Sequence, residues 1–237
     1  MTQHPPNAPT VFRRREKKYL LRPEDFRAVR GQVAQHMQRD AFHVSHIYNI
    51  YFDTAANDLV VQSLETTDYK YKVRFRSYDK NPTRSNLFFE IKSKLNGVVY
   101  KRRVRCTLDD YYAYVAGERK HSNDQVTKEL NYLFETLHLE PKMFIAYDRY
   151  AYKDASSDLR ITFDTHLRSR STNLDIADDR GCENFFDDES YIMEIKTKDA
   201  MPLWLTHFLT ERQLFSSSFS KYGQIFMKQQ DRSLAYA

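Results

Sequence analysis

The chain is built from short runs in which apolar and charged residues alternate. They span Arg14–Leu21, His46–Phe52, Tyr71–Ser77, Leu87–Lys94, Val99–Arg105, Met143–Tyr152, Leu159–Asp164 and Tyr191–Lys198. Alternation with a period of two puts successive side chains on opposite faces, so these runs predict β-strands with one apolar face. Asn96-Gly97, between two of the runs, predicts a tight hairpin. Elsewhere the pattern changes to helical signals. Pro23 followed by Glu24 and Asp25 predicts a helix to about Met37. Thr107 with Asp110 reads as a capping box ahead of Tyr111–Ala116. Ser122 or Asn123 is expected to cap a helix to about Leu137, Pro202 to open one through Leu214, and Ser216–Ser218 to cap a last one through about Gln229. Antiparallel strands interspersed with helices predict an α+β fold.

Two short echoes suggest two equivalent halves. Phe52-Asp53-Thr54 returns as Phe163-Asp164-Thr165, and Glu90-Ile91-Lys92-Ser93-Lys94 returns as Glu194-Ile195-Lys196-Thr197-Lys198. No stretch rich in Gly, Ser or Pro divides the chain, so a flexible N-terminal arm (1–12) and a single domain (13–237) are expected.

The charged faces carry the chemistry. Lys72, Arg74 and Arg76 share one face against Val73 and Phe75; Glu90, Lys92 and Lys94 share one against Phe89 and Ile91. Lys101, Arg103 and Arg105 form a third such face, Arg160, Thr162 and Asp164 a fourth, and Glu194, Lys196 and Lys198 a fifth. One wet face on an antiparallel sheet is ordinary. Five strands biased towards Lys and Arg argue instead for a shared basic surface. If the sheet closes, that surface lines a lumen, and buried cations there need a counter-ion. A phosphate chain supplies it: arginine offers paired donors and lysine a point charge. Glu90 and Glu194 either pair with neighbouring lysines or hold Mg2+ or Mn2+.

Other chemistries find little support. No Gly-rich phosphate loop occurs, so a phosphate site has to be built from side chains. The eight histidines show no ligand spacing, and no nucleophile-base arrangement is legible. The net charge of +5 is modest, and the basic residues alternate on strands rather than clustering, which argues against nucleic acid. Two distant cysteines, Cys106 and Cys182, predict neither a disulfide framework nor a zinc site and suit a reducing cytoplasm. No apolar run reaches the roughly 20 residues of a membrane span, and the first residues lack the apolar core of a secretory signal.

The ordered set RREKKY (14–19), YFDT (51–54), KVRFR (72–76), FFEIKSK (88–94), VYKRRV (99–104), YDRYAY (147–152), LRITFD (159–164), IMEIKTK (192–198) and FSKYGQIF (219–226) resembles the VTC domain. That domain is the catalytic part of the vacuolar transporter chaperone polyphosphate polymerases, within the triphosphate tunnel metalloenzymes. The wider group includes triphosphatases and class IV adenylate cyclases. The resemblance implies an antiparallel β-barrel, a tunnel with a charged lumen, surrounded and capped by helices. It implies an enzyme that takes ATP and Mn2+ or Mg2+ and adds the terminal phosphoryl to a growing polyphosphate. Carried over by motif, Lys18, Arg74, Arg76, Lys92, Lys101, Arg149, Arg160, Lys196 and Lys221 are catalytic cations. Lys72, Lys94, Arg103 and Lys198 are substrate-binding, and Glu194, Glu90 and Glu16 are metal ligands. The opening Arg15-Glu16-Lys17-Lys18 keeps one of the two glutamates of the wider group's Glu-x-Glu-x-Lys. The alternatives are a tripolyphosphate or nucleoside triphosphate hydrolase and a non-catalytic polyphosphate-binding module. A separately encoded membrane partner is a hypothesis only, suggested by the eukaryotic relatives; oligomeric state is left open.

Overall fold

The computed structural model describes residues 15–65, 69–79, 87–95, 98–178, 180–186, 189–198 and 200–235. The expected arm over 1–12 and the Asn96-Gly97 turn lie outside the described residues. The elements are, in chain order, β1 (Arg15–Leu21), α1 (Pro23–His36), β2 (Gln38–Asp53), α2 (Asp58–Leu64), β3 (Tyr69–Ser77), β4 (Leu87–Leu95), β5 (Val98–Cys106), α3 (Leu108–Val115) and α4 (Gln125–Leu137). They continue with β6 (Glu140–Lys153), β7 (Arg160–Arg170), β8 (Glu183–Asn184), β9 (Tyr191–Thr197), α5 (Leu203–Glu211) and α6 (Lys221–Ala235).

The strands form one antiparallel sheet in the order β1-β9-β7-β6-β2-β3-β4-β5, with β8 beside β7. This order is symmetric about the β6–β2 pair. β4 and β9 therefore hold equivalent places, and the repeated Glu-Ile-Lys that begins at Glu90 and at Glu194 is a structural equivalence. The Phe-Asp-Thr echo is not, because β2 corresponds to β6 rather than to β7. Asp53 and Asp164 accordingly do different work.

The alternation holds throughout. Val73, Phe75, Phe89 and Ile91 enter one core under α3 and α4, while Ile161, Phe163, Met193 and Ile195 enter a second with Phe26, Val29 and Val33 of α1 and Leu205 and Leu209 of α5. The charged residues of the same strands share the opposite, inner face. A third apolar cluster lies on that inner face: Tyr51, Tyr147 and Ile192 pack against Tyr222 and Ile225 of α6. The last helix thus covers part of the inner surface and presents Lys221 to the rest.

The sheet does not close into the expected barrel. Among the described residues no ladder joins β1 to β5. The outer edge of β1 is taken by the segment before α6, where Ser217 pairs with Lys18 in an isolated antiparallel bridge and donates to its carbonyl at 2.8 Å. An ion pair reaches from β1 to the strand next to β5 instead: Glu16 of β1 lies 3.8 Å from Lys92 of β4.

Several helix caps differ from expectation. The Thr107/Asp110 capping box is present. α4, however, is capped by Asp124, which accepts from Thr127 N–H at 2.8 Å, rather than by Ser122 or Asn123. The hydroxyl at the start of α6 that accepts a backbone N–H is that of Ser220, from Gly223, rather than any of Ser216–Ser218. α2 went unpredicted because it has no period-3.6 run of its own; it is organised by Asp53. This buried carboxylate accepts from the N–H groups of Thr54, Leu59 and Val60 and from the Tyr222 hydroxyl, tying α2 and α6 to the end of β2.

Four donors on one buried carboxylate cannot be replaced by solvent. Asp53→Ala is expected to cost about 2–4 kcal/mol of unfolding free energy, measured by urea denaturation; a loss below about 1 kcal/mol would contradict this role.

Candidate functional site

The inner faces of β1, β3, β4, β5, β6, β7 and β9, with the first residue of α6, gather charges into three linked groups. The first is centred on Glu90. Arg74 Nε and Nη2 both donate to Glu90 Oε2, at 2.8 and 2.6 Å, and Arg76 Nε lies 3.7 Å from the same oxygen. Lys101 Nζ is 2.6 Å from Oε1. The arginines are fixed further: Arg74 donates to the Tyr51 hydroxyl at 3.0 Å, and Arg76 donates to Asn49 Oδ1 at 2.8 Å and to the Tyr147 hydroxyl at 3.2 Å.

The second group is centred on Glu194. Its Oε1 faces Lys221 at 3.7 Å and Lys18 at 3.8 Å, and its Oε2 faces Lys196 at 3.0 Å and Arg149 at 3.8 Å. Asp164 completes it. Arg149 donates to both Asp164 oxygens, at 2.6 and 2.7 Å, and Lys221 donates to one at 2.5 Å. Glu16 forms the third group, 3.5 Å from Lys18 and 3.8 Å from Lys92. Two further lysine contacts reach the segment before α6: Lys18 donates to the Phe219 carbonyl and Lys72 to the Ser220 hydroxyl, both at 2.7 Å.

Nine cations (Lys18, Lys72, Arg74, Arg76, Lys92, Lys101, Arg149, Lys196, Lys221) thus surround four carboxylates (Glu16, Glu90, Asp164, Glu194), an excess of five positive charges. Burial alone would raise Glu90, but Arg74, Arg76 and Lys101 hold it well below the usual carboxylate range. Burial acts on Glu194 likewise and is outweighed by Lys196, Lys221, Arg149 and Lys18. Burial lowers two of the lysines to about 8. Burial brings Lys72 down to about 8 against the opposing Tyr51, with Lys92, Lys18 and Arg74 adding to the fall. Burial also brings Lys101 to about 8, although Glu90 opposes it. Burial would raise the Tyr51 phenol, yet Arg74, Arg76 and Lys72 draw it down to about 8.

Of the sequence-level candidates, Glu16, Lys18, Lys72, Arg74, Arg76, Glu90, Lys92, Lys101, Arg149, Glu194, Lys196 and Lys221 meet here. Arg160 does not join them; it pairs with Asp40 at 2.8 Å. Lys94, Arg103 and Lys198 are exposed. The Arg103 guanidinium lies over the Phe88 ring at 4.9 Å, and Lys198 follows the end of β9. Asp164, Tyr51, Asn49 and Tyr147 were missing from the candidates. Asp164 was findable, since it shares a strand face with Arg160; buried tyrosines read as core, and nothing in the sequence marks these two as hydrogen-bond partners of arginine. His43 contacts the Ala151 carbonyl at 2.9 Å, and His46 pairs with Asp148 at 2.7 Å.

Among the described residues no group of three or more His, Cys, Asp or Glu is arranged as a complete metal site. Mg2+ and its relatives commonly take only one or two carboxylates and fill the remaining positions with phosphate oxygens and water. Glu194 and Glu16, which share Lys18, provide hard oxygen donors of that kind, so the donor set fits a cation that arrives with phosphate.

The family model described as the VTC domain matches residues 13–228. No curated protein sequence is significantly similar to this chain. A solved structure from Bacillus halodurans, described as a candidate adenylate cyclase, is similar with a TM-score of 0.54 and 14% identity, over 86% of this chain and 92% of its own. A Vibrio parahaemolyticus protein described in the same words shows a TM-score of 0.48 and 11% identity over 90% of this chain and 97% of its own. The first of these likenesses bears on the fold. No helix among the described residues is long and apolar enough to cross a membrane.

The depressed carboxylates set the acid response. A carboxylate whose folded pKa lies below its unfolded value contributes stability that is present above the unfolded value and lost as pH falls through the folded one. Stability should therefore fall as the pH drops below about 4.5, the ordinary glutamate value, because the unfolded chain takes up protons that folded Glu90, Glu194 and Asp164 refuse. Urea midpoints between pH 6 and 3 test this, with a shallower decline expected for Glu194→Gln; a flat profile for wild type would contradict the pairing.

Proposed function

The chain belongs to the VTC-domain family, and on that premise we propose that it transfers the terminal phosphoryl of ATP to a growing polyphosphate chain, with Mn2+ or Mg2+, on the charged inner face of the curled sheet. The observation that carries this reading is the excess of five positive charges gathered with four carboxylates on one face of the sheet. Such an interior favours a polyanion over any neutral ligand.

Phosphoryl transfer demands mainly positioning and stabilisation of charge. Arg74, Arg76 and Arg149 present rigid planar donors to phosphoryl oxygens, and Lys18, Lys72, Lys92, Lys101, Lys196 and Lys221 add point charges. Asp164 acts through its neighbours, holding Arg149 and Lys221 in position. Glu194 and Glu16 would hold the divalent cation, which when bound neutralises charge on the transferring phosphoryl group. A terminal phosphate oxygen of the chain attacks the γ-phosphorus, the bond to the bridging oxygen breaks, and ADP leaves with that oxygen.

One feature favours this nucleophile over water. Water needs a general base or a positioning carboxylate, and Glu90, the sequence-level candidate for that work, is engaged by Arg74, Arg76 and Lys101 and held well below the range of a base. A phosphate oxyanion is already ionised and needs none.

Incubation with ATP and Mn2+, followed by gel and free-phosphate assays, tests the reading. Long polyphosphate is expected from wild type, none from Glu194→Ala, and at least about a hundredfold less from Arg149→Ala. Free phosphate without chains would make the protein a triphosphatase. Bound polyphosphate with neither product would make it a binding module.

A further inference from the structure

A buried hydroxyl on the inner face has no hydrogen-bond partner among the described residues. Thr162 is 1% exposed, and its hydroxyl makes no hydrogen bond among the described residues. Its orientation follows from strand parity. Ile161 and Phe163 enter the second apolar core, while Asp164, two residues along, reaches Arg149 and Lys221. Thr162 therefore shares the inner face with Asp164. Across the sheet it lies in a row with Ala151 on β6, Glu194 on β9 and Lys18 on β1.

Its neighbours do not satisfy it. Both oxygens of Glu194, the adjacent residue in that row, are turned to cations. Glu90 Oε1, which also lacks a directed hydrogen bond, is met by the Lys101 ammonium at 2.6 Å. A buried hydroxyl without a partner is unfavourable, and valine would fill the same shape without that cost. Valine is also at least as well suited to a strand. A partner supplied by a bound ligand would remove that cost.

We propose that the Thr162 hydroxyl donates a hydrogen bond to a phosphoryl oxygen of the bound chain, completing a subsite whose charged walls are Lys18, Lys196, Arg149 and Lys221. This rests on the reading of the inner face as a polyphosphate site. The hydroxyl supplies a neutral, directed donor where four cations supply charge. A cation alone attracts any oxyanion; the fixed donor selects the register in which the chain sits against Glu194.

The test sets stability against affinity. Tripolyphosphate binding is measured by calorimetry without metal for wild type, Thr162→Val and Thr162→Ser, and urea unfolding of each is measured without ligand. Thr162→Val is expected to be as stable as wild type or more so, yet to bind tripolyphosphate roughly ten- to a hundredfold more weakly, with Thr162→Ser restoring most of the affinity. Equal affinity of wild type and Thr162→Val would overturn the role of the hydroxyl and leave the polyphosphate site standing. Lower ligand-free stability of Thr162→Val with unchanged affinity would assign the hydroxyl to the folded protein alone and overturn the proposal. Absence of binding by wild type would overturn the polyphosphate site and this role with it.

Discussion

Charge that is drawn out of water has to be paired, and the inner face of this protein gathers more cations than carboxylates. Glu90 and Glu194 each sit within 3.8 Å of three or more cationic groups, and Asp164 is gripped by two. A positive excess remains around them. Burial, with neighbouring cations adding to it, brings Lys72 and Lys101 both down to about 8. Arginine has no such escape; Arg74 and Arg76 are anchored by the neutral oxygens of Tyr51, Asn49 and Tyr147 in addition to Glu90. An arrangement of this kind is poorly explained as a device for stability, since well-packed apolar residues would stabilise the fold as well or better. It is well explained as a receptor for multiple negative charges.

The architecture follows from the need to hold these groups facing one another. Each strand spends one face on an apolar core and the other on the interior, so the sheet must curl. Full closure is not required, because the edge of β1 is engaged by Ser217 and Glu16 of β1 reaches Lys92 on β4, the strand next to β5. α6 serves both surfaces. Tyr222 and Ile225 cover the apolar part of the inner face, and Lys221 extends into the charged part. Asp53, through Tyr222, connects that helix to β2 and so fixes where Lys221 begins.

Much of this was legible in the sequence. Strict alternation separated Val73 and Phe75 from Lys72, Arg74 and Arg76, and the same rule placed Glu90 and Glu194 among cations. The repeated Glu-Ile-Lys pointed to equivalent strands, which the symmetric strand order bears out. What failed had a common cause: dependence on contacts distant in sequence. Closure of the sheet depends on whether β1 meets β5, and a segment two hundred residues later takes that edge. Phe-Asp-Thr looked like a second echo, yet Asp53 caps a helix and Asp164 orients Arg149. The serines before α6 matched a cap pattern, but Ser217 is drawn to β1 and Ser220 takes the helix end. Arg160 carried the right charge on the right face and still pairs with Asp40, because Asp40 on the long N-terminal part of β2 lies within its reach.

The most direct test of the central claim is to locate an anion experimentally. Crystals soaked in tungstate and measured by anomalous diffraction would show where a compact, heavy oxyanion settles. The account predicts strong peaks on the inner face, within hydrogen-bonding distance of Arg74, Arg149 or Lys221. Peaks confined to the outer surface, with the interior unchanged, would contradict it.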